Sequence, residues 1–500
     1  MATAATPVAA GAVGAGEDQH LKAGTLSLFD STMIATASVA PAYSMSATIG
    51  LLVAAVGLAS PAAILVSFVP VLFIAVAYYY MNRQDPNCGA SYTWISKTIS
   101  PYVGWLTGWV QTAASVLFCV AAPVLAGTNT MALLQSLGVV NADTASNTTI
   151  IALVALVWLF LVTWMVVVGI RMTANFQWVM VAIEYILVIG FSVAALLKIA
   201  ASHPAGSQGV AGWWFNPFAL GDVSGLAAGA VLGVFFFWGW DTAANLNEES
   251  EDADTNPGQA GIISMFVLLV VFMISSAAVQ ALVPADVISK QGGAAFFYFA
   301  EQVFPAPWSY LMVVAVLAST VATTQTTLLP ATRLTFSMAR DGVFPRIFGK
   351  VHPSWQTPWL GTIIVGGLAT AGILLTTFNK NINDTFQGMI SNIGVLVAFY
   401  YGVTGLACAW AFRKSLTKPP QMILLAGILP AAAGLFLLWI GYEVVAQAGL
   451  QASLPVLVTL LIGIPLVVVA KVMSKSDFFD QPTVTYVHKG KGEAETAKVV

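Results

Sequence analysis

Charge is scarce in this chain. Its 500 residues include 19 Lys or Arg and 22 Asp or Glu, so charged side chains make up 8% of the sequence, against about 25% in soluble globular domains. Such a chain cannot clothe a fold in a wetted surface, and this excludes a water-soluble globular protein; its solvent is lipid. Histidine is as sparse. His20, His203, His352 and His488 all fall outside the long apolar runs, and no metal-ligand spacing appears. The three cysteines, Cys88, Cys119 and Cys408, sit in or beside apolar segments. They read as small buried filler and give no disulfide or metal framework. The net charge of -3 comes with no basic stripe outside short loops, so no nucleic-acid partner is expected. No phosphate-cradling Walker loop is present to power ATP-driven transport. No ring of repeated charges or filter loop suggests a channel. The apolar runs lack the nucleophile–base pair or metal set that an intramembrane enzyme needs, and no cofactor is expected.

What the chain has in abundance is apolar sequence: 58% of residues are hydrophobic and the mean hydropathy is +0.83. A bilayer core about 30 Å thick is crossed by a helix of about 20 apolar residues. Windows of that size predict about twelve spans, over 28–56, 62–80, 102–133, 149–168, 176–199, 226–246, 260–282, 310–335, 359–377, 386–411, 422–445 and 454–469. Lys and Arg accumulate on the cytoplasmic side of membrane proteins. With the N-terminus inside, this leaves Lys198, Lys290 and Lys380 outside and all other basic residues inside. Both termini are therefore expected in the cytoplasm of a multi-pass plasma-membrane protein. Residues 1–26, which begin Ala- and Gly-rich and show no signal-peptide pattern, and the polar segment 473–500 are read as flexible tails.

Two spans carry interruptions. In the first, Pro41 sits among small residues in Ser38-Val39-Ala40-Pro41-Ala42-Tyr43. Proline has no N–H and clashes with the preceding turn. In the sixth, Phe237-Trp238-Gly239-Trp240-Asp241 packs aromatics round a glycine and ends in a carboxylate. Breaks in a lipid-embedded helix are tolerated where protein or a cavity covers them. A matched pair in two halves of a chain points to an inverted-repeat transporter with its site at the breaks. Freed N–H groups there suit an anion, and freed carbonyls suit an ammonium or a cation.

Several stretches resemble the amino acid–polyamine–organocation permease superfamily, of the bacterial amino acid permease type. The most specific is Arg333, Met338-Ala339-Arg340-Asp341-Gly342, Phe344-Pro345, Val351-His352-Pro353 and Thr357-Pro358. Phe237 to Asp241 followed by Glu248-Glu249 resembles the superfamily's helix-six pattern. Gly89 to Tyr92 with Gly104, Gly108 and Trp109 resembles the entry to helix three. The likeness covers roughly residues 26–414. It implies an all-α membrane fold of two inverted five-helix repeats (27–200 and 222–414) with helices one and six unwound, plus two more helices (421–472). It also implies alternating access round a mid-membrane site and the carriage of amino acids or related amines. One departure stands out. Many members carry a Gly-Ser/Thr-Gly turn in helix one that cradles a substrate carboxylate, where this chain has Ser38-Val39-Ala40-Pro41-Ala42. An amine without a carboxylate gains plausibility accordingly.

A charge near the bilayer centre costs at least about 2.5 kcal/mol and is a functional hypothesis by default. Glu184 lies about ten residues, roughly 15 Å, into helix five. Burial there favours the neutral acid, so Glu184 is expected to bind and release the coupling proton; the alternative is an acid that stays protonated and bonds a neighbouring helix. In a proton-coupled relative the matching place holds a lysine. Asp241 is expected to hold unwound backbone N–H groups, ahead of pairing with a substrate ammonium. Ser319, Thr320, Thr323 and Thr324 on helix eight offer oxygens for a coupling sodium with helix-one carbonyls, or simple interhelical bonds. Trp238, Trp240 and Tyr43 offer gates or an amine-binding wall, with Trp238 preferred. Glu248 to Asp254 reads as a solvated loop or an inner salt bridge to the basic loop after helix eight. The expected activity is a proton-coupled permease; the alternatives are an amine or polyamine uniporter or exchanger, and a sodium-coupled symporter of the same fold.

Overall fold

The computed structural model describes residues 21, 23–378, 382–414, 420–474, 476–486 and 498–499. The N-terminal tail up to residue 20, Lys22, Lys380, Lys418, Lys475, His488, Lys489 and Lys491 lie outside the described residues, as do the side chains of residues 170–176, among them Arg171, and of residues 382–385 and 387.

The chain is helical nearly throughout. In order come α1 (Leu28–Val39), α2 (Pro41–Val56), α3 (Ser60–Gln84), α4 (Ser91–Thr98), α5 (Pro101–Ser136), α6 (Ala142–Ala145), α7 (Thr148–Val168), α8 (Ile170–Ser202) and α9 (Val223–Phe236). They are followed by α10 (Thr242–Asn245), α11 (Asn256–Leu282), α12 (Ala285–Gln291), α13 (Ala295–Val303), α14 (Tyr310–Arg340), α15 (Trp359–Thr376), α16 (Ile382–Ala411), α17 (Pro420–Met422) and α18 (Leu429–Met473). Each apolar window picked out from the sequence is helical over most of its length, the first being divided between α1 and α2 and the sixth between α9 and α10.

Among the described residues nine helical stretches are long and apolar enough to cross a membrane. Two of them are too long for one crossing. The stretch 28–84 has 57 residues, about 85 Å at 1.5 Å per residue, nearly three bilayer cores. It turns at Gly57 (φ 58°), where a left-handed backbone favours a residue without Cβ. The stretch 420–473 has 54 residues and leaves helical geometry at Gly449 (φ 77°). Large apolar side chains project outward from α7, α8 and α18, including Phe160, Ile186 and Leu461, as expected where lipid replaces water. By contrast α5 and α14 are buried over most of their length.

At one end of the molecule residues 25–27 and 476–486 pack back onto the bundle. Ser27 and Asp30 form a reciprocal cap that starts α1. Just before it, Leu26 pairs with Ser250 as an isolated bridge, with Thr25 N–H donating to the Glu249 carbonyl at 2.9 Å and Glu251 N–H to the Leu26 carbonyl at 2.9 Å. At the other terminus the expectation of a flexible tail fails for residues 476–486. Phe478 stacks on Tyr92, Ser476 Oγ donates to the Asp341 carbonyl at 2.7 Å, and Tyr486 N–H donates to the Ala411 carbonyl at 2.9 Å. Two adjacent phenylalanines in an otherwise polar segment drive this, because burying their rings outweighs keeping the segment in water.

Candidate functional site

The interruption in the first span falls at Ala40, which adopts φ 53°, ψ 76°. Helix α1 stops there, and Pro41, whose missing N–H costs nothing at a helix start, opens α2. A helix start leaves amides without intrahelical partners, and each one here can be traced. Ala40 N–H donates to the Thr36 carbonyl at 3.1 Å, and Ser44 N–H to the Ala40 carbonyl at 2.8 Å. Ala42 N–H donates to Glu184 Oε1 at 2.7 Å, and Tyr43 N–H to Ser319 Oγ at 3.0 Å. The carbonyls are engaged as well: Val39 accepts from Ser44 Oγ at 2.7 Å, and Ser38 from Thr323 Oγ1 at 2.6 Å.

The second interruption lies between α9 and α10, where Gly239 takes φ 120°. A Cβ at this glycine would sit 2.8 Å from the carbonyl carbon, carbonyl oxygen and Oγ of Ser38. The two breaks therefore touch, and Ser38 Oγ and Thr242 Oγ1 share a hydrogen bond of 2.9 Å across the seam. Asp241, buried just beyond Gly239, accepts from the hydroxyls of Tyr400 (2.9 Å) and Tyr401 (3.0 Å). Trp238 Nε1 in turn donates to the Tyr400 hydroxyl at 2.6 Å, so an indole, a phenol and a carboxylate form one relay.

Glu184 on α8 is fully buried. Its Oε1 accepts from Ala42 N–H and from Ser319 Oγ, both at 2.7 Å, so one oxygen ties α8 to α2 and α14. Its Oε2 has no partner among the described residues. Ser319 and Thr323, four residues apart, face the first break together. Thr320 does not join them: its hydroxyl donates to the Val316 carbonyl at 2.6 Å, and it lies beside Pro123 and Trp158. Thr324 likewise bonds within its own helix, to the Thr320 carbonyl.

The Tyr43 ring packs edge-on against Phe118 at 5.2 Å between centroids, and Phe118 against Trp238 at 5.3 Å. With Phe235, 6.2 Å from Trp238, they form an aromatic wall beside both breaks, and the Tyr43 hydroxyl on it is buried without a partner. Trp240 belongs elsewhere, with Tyr78 and Tyr401 and over Gly261. Phe118, Thr242, Tyr400 and Tyr401 were missed in the sequence because aromatic and hydroxyl residues in an apolar helix carry no local sign of which neighbour they meet.

Beside the second break, Glu248 and Glu249 pair with arginines on α14 itself rather than with the loop that follows it. Arg333 meets Glu249 in a fork, Nε to Oε2 and Nη2 to Oε1 at 3.1 Å each, with both side chains wholly buried. Arg340 grips Glu248 at 2.8 and 2.9 Å. Burial pushes the Glu248 carboxyl up, but the hydrogen bonds and charge of Arg340 outweigh it and hold Glu248 below the usual glutamate range. Among the described residues no cluster of three or more His, Cys, Asp or Glu is placed to hold a metal.

Comparison with known proteins adds to this geometry. A profile described as Amino acid permease matches residues 26–469. The Low-affinity putrescine importer PlaP of Escherichia coli (strain K12) is 28% identical over 396 residues, 77% of this chain and 81% of that protein. The Methylthioribose transporter of Bacillus subtilis (strain 168) is 26% identical over 391 residues, covering 75% and 78%. The Branched-chain amino acid permease BcaP of the same organism is 24% identical over 415 residues, covering 79% and 81%.

Proposed function

Because this chain belongs to the amino acid permease family, we propose that it is a proton-coupled secondary transporter that imports amino acids or related amines by alternating access. It is a multi-pass membrane transporter and not an enzyme. Relatives named for putrescine, methylthioribose and branched-chain amino acids bracket the range of small solutes, and two of the three carry an amine.

The observation that carries the coupling proposal is the position of Glu184. One of its oxygens joins the start of α2 to Ser319 on α14 while the other is free. A carboxylate accepts from two donors far more strongly than a neutral acid does. Protonation therefore loosens the first span from α8 and α14, and deprotonation tightens it again, which links a proton to the movement of the broken helix. Ser319 and Thr323 donate their hydroxyl protons to Glu184 and to the Ser38 carbonyl, which ties α14 to the same junction. The substrate site in this reading comprises Ser38 to Tyr43 with Trp238, Gly239 and Asp241, the touching breaks parting to admit the solute, while Trp240 packs behind it against Tyr78 and Tyr401.

The architecture proposed with it has twelve crossings: two inverted repeats over 27–200 and 222–414, and two further helices over 421–472. Support comes from the turns at Gly57 and Gly449 and from α9 and α10 read together as one interrupted span. Both termini lie in the cytoplasm of the plasma membrane. Arg83, Lys97, Arg333, Arg340 and Lys471 gather on that side in keeping with the positive-inside rule. Purified protein in liposomes tests the function: an inward proton gradient should drive uptake of a labelled amine or amino acid above its equilibrium level, and preloaded vesicles should show counterflow. Uptake that only equilibrates, with no counterflow, would refute a carrier.

A further inference from the structure

We infer that the transported solute is an amine with no carboxylate beside its ammonium group; this rests on the reading above, that the solute binds at the two breaks. The start of a half-helix is where an α-amino acid would lodge its carboxylate, since unpaired amides and the positive end of the helix dipole converge there. At α2 that position is already filled. Pro41 contributes no N–H, Ala42 gives its N–H to Glu184, Tyr43 gives its own to Ser319, and Ala40 and Ser44 bond the main chain. The protein thus supplies its own acceptors where an amino acid would bring a carboxylate, and no amide at this helix start is left to hold a second one.

The other groups at the site favour a cation. Asp241 is a second buried acid, and its Tyr400 and Tyr401 donors leave lone pairs open on the carboxylate. Neither Glu184 nor Asp241 has a basic partner among the described residues. The one buried basic side chain there, Arg333, is committed to Glu249. Tyr43, Phe118 and Trp238 present aromatic faces, to which an ammonium is attracted and a carboxylate is not. Two acids, aromatic faces and no free basic group describe a receptor for an organic cation.

The test uses matched pairs that differ only by the carboxylate: 1,4-diaminobutane against ornithine, 1,5-diaminopentane against lysine, and phenethylamine against phenylalanine. Counterflow into liposomes bearing the full-length protein should favour the amine in at least one pair by tenfold or more, with no pair favouring the acid. Equal or faster entry of the amino acid in the pair transported best overturns the inference while leaving the transporter reading intact. If no member of any pair enters or raises the melting temperature, the amine and amino acid reading itself falls, and the inference with it. A second measurement asks whether Glu184 is the cause. In Glu184→Ala the Ala42 amide is released, and the ratio of amine to amino acid binding, read by thermal shift, should fall at least tenfold. An unchanged ratio in a folded variant would overturn the assignment to Glu184.

Discussion

Glu249 and Arg333 form a two-pronged ion pair with neither side chain exposed to solvent. The pair joins the loop after the second break to α14, and the main chain of Glu249 also receives the N–H groups of Thr25 and Leu26. Removing one member of a buried pair strands a charge and costs about 3–5 kcal/mol, whereas replacing both is much milder. Glu249→Gln and Arg333→Gln should each lower the melting temperature of the detergent-solubilised protein sharply, and the double variant should recover much of the loss. Additive losses in the double variant would show that the two side chains act independently.

Glu184 offers a separable prediction. Glutamine retains an oxygen that can accept from Ala42 N–H and Ser319 Oγ but cannot exchange a proton. Glu184→Gln should keep counterflow, lose accumulation driven by an inward proton gradient, and show a flat dependence on external pH between about 5 and 8, where the parent falls as protons become scarce. Uptake measured in liposomes at fixed membrane potential decides this, and a variant with the parent's pH dependence would move the coupling proton to another group.

How far the sequence foretold this site depends on the range of the signal. The breaks were legible because their causes are local: Pro41 cannot continue α1, and Gly239 can adopt φ 120° where other residues are strained. Glu184 was legible because an acid amid apolar residues is costly enough to demand a reason. The partners were not. Tyr400 and Tyr401 reach Asp241 across about 160 residues of sequence, and a tyrosine in an apolar helix looks the same whether it faces a carboxylate or a neighbouring helix. Helix periodicity would have parted Thr320 from Ser319 and Thr323 only with the orientation of α14 known. The contact between the breaks depends on how two distant segments pack and left no mark in either.

The pairing of Glu248 with Arg340 fixes the sign of an acid sensitivity. The folded protein holds the Glu248 carboxyl below its ordinary value, near 4.3 when unfolded. A depressed carboxyl stabilises the fold at pH above the unfolded value, and that contribution is lost as pH falls through the folded one. Glu248→Gln should therefore melt lower than the parent at pH 7, by about 1 kcal/mol or less for a partly exposed pair. The difference should vanish well below pH 4. Asp341 alongside behaves oppositely, since burial pushes its carboxyl up, so the comparison has to be made between variant and parent at each pH. A gap that widened on acidification would contradict the pairing.

The packed segment after α18 makes the last prediction. Phe478 and Phe479 are nearly buried. Phe478 stacks on Tyr92, whose hydroxyl donates to Asp341 Oδ2 at 2.7 Å, and Ser476 bonds the Asp341 carbonyl. The segment thus braces the turn that follows α14, the turn from which Arg340 reaches Glu248. Truncating a buried phenylalanine to alanine costs about 3–5 kcal/mol in a core, and less at a margin such as this one. Phe478→Ala should speed amide exchange at residues 341–345 and at 476–486 while leaving exchange in α5 and the core of α14 unchanged. Deleting the chain beyond Ser474 should reproduce the effect at 341–345. Protection of that turn in the deletion variant equal to the parent's would show that the terminal segment lies on the bundle without bracing it.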